Sequence, residues 1–155
     1  ELLKNPKDLV AAVKNLVDEK HALEKRLEAI HQERANTLKD ELAKKAVAVN
    51  GSHLIIEKVS VPNADALKNI AYALRNQFSD LLLVLAADVD SKPQVAVMIG
   101  EKLMETKKYH AGELVKVLAK EIDGGGGGQP FFATAGGKNM AGLDAVITKA
   151  KELIG

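Results

Sequence analysis

The sequence predicts an α/β fold: a long N-terminal helical, coiled-coil-like segment followed by a small globular domain with a mixed β-sheet, packed helices and a glycine-rich loop before the last helix. Three observations carry that expectation. After Pro6, residues up to 50 contain neither proline nor glycine, so a single helical register can run through most of them. Beyond Asn50-Gly51, short apolar runs of strand length alternate with helical patterns. Seven of the twelve glycines then fall within residues 123–137.

The first element reads as a helix from residue 6 to about 48, with Asn5 as cap and Pro6 at the first helical position. Leu9, Val13, Leu16, Leu23, Leu27, Ile30 and Leu38 follow a 4,3 spacing, interrupted at Lys20 and Arg34. Such a seam faces another helix, and Leu9, Val13, Leu16, Leu23, Leu27 and Ile30 are the candidates for homodimerisation. At about 1.5 Å per residue the helix would run roughly 60 Å, longer than a small domain is wide. Part of it should meet a partner chain or fold back as a hairpin; the alternative, which Lys20 and Arg34 on the seam keep open, is a solvated connector with a weak stripe. Residues 1–50 are thus expected to form a dimerisation and tethering segment, and residues 51–155 a globular domain. The start at Glu1, inside a helical register, reads as the edge of a longer chain.

Next, HLIIEKVS (53–60) reads as a strand and PNADALKNIAYALRNQF (62–78) as a helix capped by Asn63, with Leu67, Ile70, Leu74 and Phe78 on one face. DLLLVLAAD (80–88) and QVAVMIG (94–100) have the continuous apolar character of buried strands, with SKP as the turn between them. Residues 110–122 and 140–154 read as helices joined by the glycine stretch.

Composition limits the chemistry. The 155 residues are 46% hydrophobic and 28% charged, the balance of a folded protein. With no tryptophan and 3% aromatics, the core must be aliphatic. The absence of cysteine excludes disulfides, thiolate nucleophiles and sulfur-ligated zinc. The longest apolar run, LLLVLAA (81–87), is too short to cross a bilayer, and the charged N-terminal pattern lacks a signal-peptide core; a cytoplasmic location is expected. A net charge of +1 means that any basic surface must come from local clustering. His21, His31, His53 and His110 lack metal-ligand spacing, Asp88 and Asp90 flank a turn, and no nucleophile sits beside a base. Neither a catalytic site, a metal nor a cofactor is expected.

The glycine run is followed by too little chain to serve as a linker between independent units. Glycine this dense is costly to order, so either a ligand or another backbone must come close. Gly136 and Gly137 stand before Lys138 and Asn139 at an expected helix start, where free N–H groups suit an anion such as phosphate. The alternative is that the glycines let helix and sheet pack closely and Asn139 merely caps. A second basic cluster, Lys102, Lys107 and Lys108 with Tyr109, lies between the last apolar strand and the next helix; because Glu101 and Glu105 are interleaved, a solvated face is the alternative to an RNA contact.

GGGGGQPFFATAGG resembles the glycine motif of the alanyl-tRNA synthetase C-terminal domain: a glycine run, a residue often basic, Pro, two residues, Ala, one residue, then Ala-Gly-Gly. Gly124 to Gly128, Pro130, Ala133, Ala135, Gly136 and Gly137 match it, while Gln129 departs from the basic residue. The resemblance implies a non-catalytic tRNA-binding appendage that grips the outer corner, or elbow, of the tRNA and helps couple the aminoacylation and editing domains of its parent chain. It also implies dimerisation through the helical part. Under that reading the tRNA contacts are Lys102, Lys107, Lys108, Tyr109, Gly126, Gly127, Gly128, Gln129, Gly136, Gly137, Lys138 and Asn139, with alanine tRNA as partner. A related domain accompanies DHH-family phosphoesterases, where the glycine loop ends in histidine and holds nucleotide or single-stranded nucleic acid. Here no histidine follows His110, which favours the synthetase branch.

Overall fold

A computed structural model describes residues 6–155; the expected Asn5 cap lies outside them. Helix α1 runs Pro6–Lys44 as one element, and it ends before residue 48 because residues 47–49 are taken by a strand. That strand, β1 (Val47–Val49), turns at once into β2 (Ser52–Val61). Asn50 and Gly51 both adopt positive φ, 50° and 79°, the conformation a two-residue hairpin requires and that Asn-Gly supplies most readily.

The chain divides into two units between Arg34 and Ala35, inside α1 rather than at residue 50. In the first unit, Leu9, Val13, Leu16, Leu23, Leu27 and Ile30 are 46–64% exposed. In the second, the last turns of α1 join the core: Leu42 is 2% exposed, and Leu38 packs against the same cluster. Leu38 is therefore half-buried against the domain core rather than on an external seam.

The second unit is built on one six-stranded sheet in the order β1-β2-β3-β4-β6-β5. β2 runs parallel to β3 (Leu81–Val89), from His53 opposite Leu81 to Val61 opposite Val89. A parallel pair needs a crossover, and α2 (Ala64–Gln77) provides it. The Asn63 side chain accepts a 2.8 Å hydrogen bond from the Ala66 N–H, and Leu67, Ile70 and Leu74 are buried on the inner face. β3 then pairs antiparallel with β4 (Lys92–Ile99). The turn lies at Asp90-Ser91, both at positive φ, where the Ser91 N–H donates to Asp88 Oδ1 at 2.9 Å. The expected SKP turn is thus displaced, and Lys92 and Pro93 belong to β4.

β3 and β4 are central, and residues 81–87 are buried on both faces, as their unbroken apolar run demands. On one face Leu83, Leu85, Ala96 and Met98 pack with α2 and Leu42. On the other, Val84, Val95 and Val97 meet α3 (Glu101–Glu105), α4 (Ala111–Ala119) and α5 (Leu143–Ile154). The expected helix 110–122 tightens to a 3-10 turn at Lys120–Ile122, and the last helix begins with another at Met140–Gly142.

Candidate functional site

The glycine stretch is not a loop. Gly125–Gly128 form β5, which turns at Gln129-Pro130 and pairs antiparallel with β6 (Phe132–Gly136) at the sheet's edge. Its two anchors are Gly124 N–H donating to Ala119 O at 2.9 Å and Gln129 N–H donating to Phe132 O at 2.8 Å.

A side chain's first carbon at Gly126 or Gly128 would fall 2.1 or 2.5 Å from backbone oxygens of β6. At Gly137 it would meet the Ile122 carbonyl at 2.2 Å. Those glycines are explained by close packing of backbone on backbone. Gly127 and Gly136 differ: nothing lies within 4 Å of a carbon added there, nor at Gly125. The register sets Gly125 opposite Gly136 and Gly127 opposite the exposed Thr134. On that face Thr134 is the one side chain set among Gly125, Gly127 and Gly136.

The expected anion cradle is corrected. The Lys138 and Asn139 N–H groups both donate to the Ile122 carbonyl, at 2.9 and 3.0 Å, and Gly137 N–H donates to Pro93 O at 3.0 Å. They are consumed by the fold, because the segment must cross the end of α4's 3-10 turn. What Lys138 retains is its exposed ammonium; Asn139 is half-buried, and Gln129 is exposed at the hairpin tip.

The second cluster comes together more closely. Lys102, Lys108 and Tyr109 line one cavity of about 290 Å³, with Asn50, Ser52 and Asp80 on its wall. Leu54, Leu82 and Leu103 supply apolar surface. The α3–α4 connection shapes it: Thr106 Oγ1 donates to Leu103 O at 2.7 Å, and Lys107 sits at φ 52°. Lys108 Nζ lies 5.2 Å from the Tyr109 ring centroid. Lys107 is exposed on the same connection and does not line the cavity, and the glycine hairpin does not line it either.

Sequence reasoning missed the acidic member. His53 Nδ1 lies 2.8 Å from Asp80 Oδ1, and this hydrogen bond is the main reason the Asp80 carboxyl is held below the usual carboxylate range, with the Lys102 charge adding to it. The two residues are 27 apart in sequence and meet only through the parallel β2–β3 pairing, which leaves no local signal. Also unforeseen is Arg75, whose guanidinium stacks 4.8 Å from the Phe131 ring centroid.

Comparison with known proteins identifies the family of the chain. The DHHA1 domain family model matches residues 51–155. The chain is 45% identical to the alanine–tRNA ligase of Cytophaga hutchinsonii over 154 residues, covering 99% of this chain and 18% of that protein. It is 42% identical to the alanine–tRNA ligase of Bacteroides fragilis over 155 residues, again 99% of this chain and 18% of the relative. It therefore spans less than a fifth of the curated relatives it matches. Among solved structures, the C-Ala domain of Aquifex aeolicus alanyl-tRNA synthetase superposes with a TM-score of 0.62 at 22% identity, over 70% of this chain and 96% of that one; this shows a shared fold. The resemblance drawn from the glycine motif holds along nearly the whole sequence, and the chain belongs to the DHHA1 domain family.

Proposed function

We propose that the chain is a non-catalytic, cytoplasmic tRNA-binding appendage of an alanine–tRNA ligase. In this reading it contacts the elbow of alanine tRNA and helps one bound tRNA serve the aminoacylation and editing domains of the parent chain. The observation that carries it is the convergence of Lys102, Lys108 and Tyr109 on one cavity, with no ion pair to either lysine among the described residues. Ammonium groups outside any salt bridge attract phosphates in a salt-dependent way, and Tyr109, beside Lys108, adds an aromatic ring to the same wall.

The glycine face at Gly127 and Gly136, with Lys138 at its exit and Gln129 at the tip, supplies a surface that an RNA backbone can approach closely, with the Thr134 hydroxyl as the one side chain between them. Gly126, Gly128, Gly137 and Asn139 contribute by holding that surface in place. In the first unit, the exposed stripe from Leu9 to Ile30 is the surface for a second copy. The stretch through Arg34 acts as tether and dimerisation segment, and the unit from Ala35 onward, which includes β1 as well as residues 51–155, as the RNA-binding domain.

The test is fluorescence anisotropy of full-length alanine tRNA and of its acceptor-stem minihelix, titrated with the domain at two salt concentrations. Salt-sensitive binding of the full tRNA, lost on the minihelix, supports elbow recognition. Equal binding of both reduces it to phosphate attraction, and no binding to either removes the proposal.

A further inference from the structure

The cavity beside Tyr109 holds more than positive charge. Its walls combine two lysines, one carboxylate and aliphatic side chains, a set that fits a ligand with an anionic head, a flat body and hydrogen-bond donors on its far edge. A volume of about 290 Å³ lies at the small end of the range for small-molecule sites, suited to one nucleotide and not to a peptide helix.

Asp80 narrows the choice of base. An ionised carboxylate only accepts hydrogen bonds, through about four lone-pair positions, and His53 uses one of them at 2.8 Å. Among the four RNA bases, guanine alone presents two adjacent N–H donors on its pairing edge, at N1 and N2. Adenine and cytosine set a donor beside an acceptor, and uracil flanks its one donor with two acceptors; each would bring a ring nitrogen or carbonyl oxygen against the carboxylate. A base taken out of a stack is read on this edge. Leu54, Leu82 and Leu103 provide the apolar wall for the ring, while Lys102 and Lys108 remain for the phosphate.

We infer that this cavity binds a single guanine nucleotide unit, with its pairing edge on Asp80 and its phosphate on Lys102 and Lys108. The unit can be a free guanine mononucleotide or an unstacked guanosine within an RNA. The second source rests on the tRNA-binding reading above; the first stands without it.

The experiment is an amide NMR titration of the chain with GMP, AMP, CMP and UMP separately. GMP is expected to shift the amides of Asn50, Gly51, Lys102, Lys108 and Tyr109 and to bind at least about tenfold more tightly than the other three, the discrimination of one bidentate contact. Asp80→Asn should abolish that preference, because an amide offers one donor and one acceptor. Should that variant fail to fold, the double variant Lys102→Ala/Lys108→Ala, at exposed positions, is expected to weaken all four mononucleotides together.

A short single-stranded RNA with one guanosine among adenosines then identifies the source. If it displaces GMP, the unit belongs to RNA; if GMP stays bound, the cavity is a free-nucleotide site. Equal binding of the four mononucleotides, shifts elsewhere, or none at millimolar GMP overturns the inference. Guanine-selective binding that persists in a domain indifferent to tRNA overturns the appendage reading alone, and tRNA binding without any mononucleotide preference overturns this one alone.

Discussion

His53 and Asp80 are joined twice: the His53 N–H donates to the Asp80 carbonyl at 3.0 Å, and His53 Nδ1 lies 2.8 Å from Asp80 Oδ1. The pair fastens the start of β2 to the approach to β3, and the His53 ring also stacks on Phe78 with centroids 4.7 Å apart. Because the folded chain holds the Asp80 carboxyl below its ordinary value of 3.8, it binds that proton more weakly than the unfolded chain does. The resulting stabilisation is complete above that ordinary value and is lost as pH falls through the lower folded one. Asp80→Asn should cost about 1 kcal/mol at neutral pH, with the difference from the parent shrinking below about pH 4. Denaturant unfolding of both proteins across that range measures it.

The glycine strand gives a paired test of packing against openness. Gly126→Ala drives a carbon to within 2.1 Å of the Thr134 carbonyl and should destabilise by about 2 kcal/mol or more. Gly127→Ala, with nothing within 4 Å, should leave unfolding within about 1 kcal/mol of the parent and weaken tRNA binding if RNA approaches that face. Thermal melts and anisotropy on the two variants separate the effects.

Helix α1 is exposed along its first unit and buried near its end, and two leucines report the difference. Leu42→Ala should cost about 2–5 kcal/mol, because the residue is 2% exposed in the core. Leu23→Ala, at 62% exposed, should change monomer stability by no more than about 0.5 kcal/mol. Replacing Leu23 and Leu27 together with aspartate should convert a dimer to monomer in sedimentation. A parent chain that remains monomeric at high concentration would sink the use of this stripe for self-association.

Salt dependence tests the lysines. If Lys102 and Lys108 each neutralise one phosphate, removing either should lower the slope of log affinity against log salt by about 1. Anisotropy titrations at several salt concentrations give that slope directly.

Much of the sheet was legible because its chemistry is periodic. Asn63 as cap, the Leu67, Ile70 and Leu74 face, and the unbroken apolar β3 and β4 runs all act locally, and each element stands where the sequence placed it within one to three residues. The strand β5 was not legible, since four glycines carry no alternation to read. β1 was hidden because three residues contiguous with a helical register give no signal of their own; pairing with β2 decides their state. At the site, Lys102, Lys108 and Tyr109 were visible as a cluster, whereas Asp80 and Ser52 reach the same cavity only through sheet register. The free N–H groups expected at Lys138 and Asn139 were lost to the Ile122 carbonyl, a long-range partner that no local pattern announces.

In most strands a slip of one position turns every inward side chain outward, and that penalty locks the alignment. β5 has no such teeth. Sliding Gly125–Gly128 along β6 would exchange identical residues, so alignment rests on Gly124 bonded to Ala119 at one end and Gln129 bonded to Phe132 at the other. The sheet's margin is therefore a smooth rail between two stops. A slip of one glycine would change no side-chain facing and would be resisted only by those two end bonds.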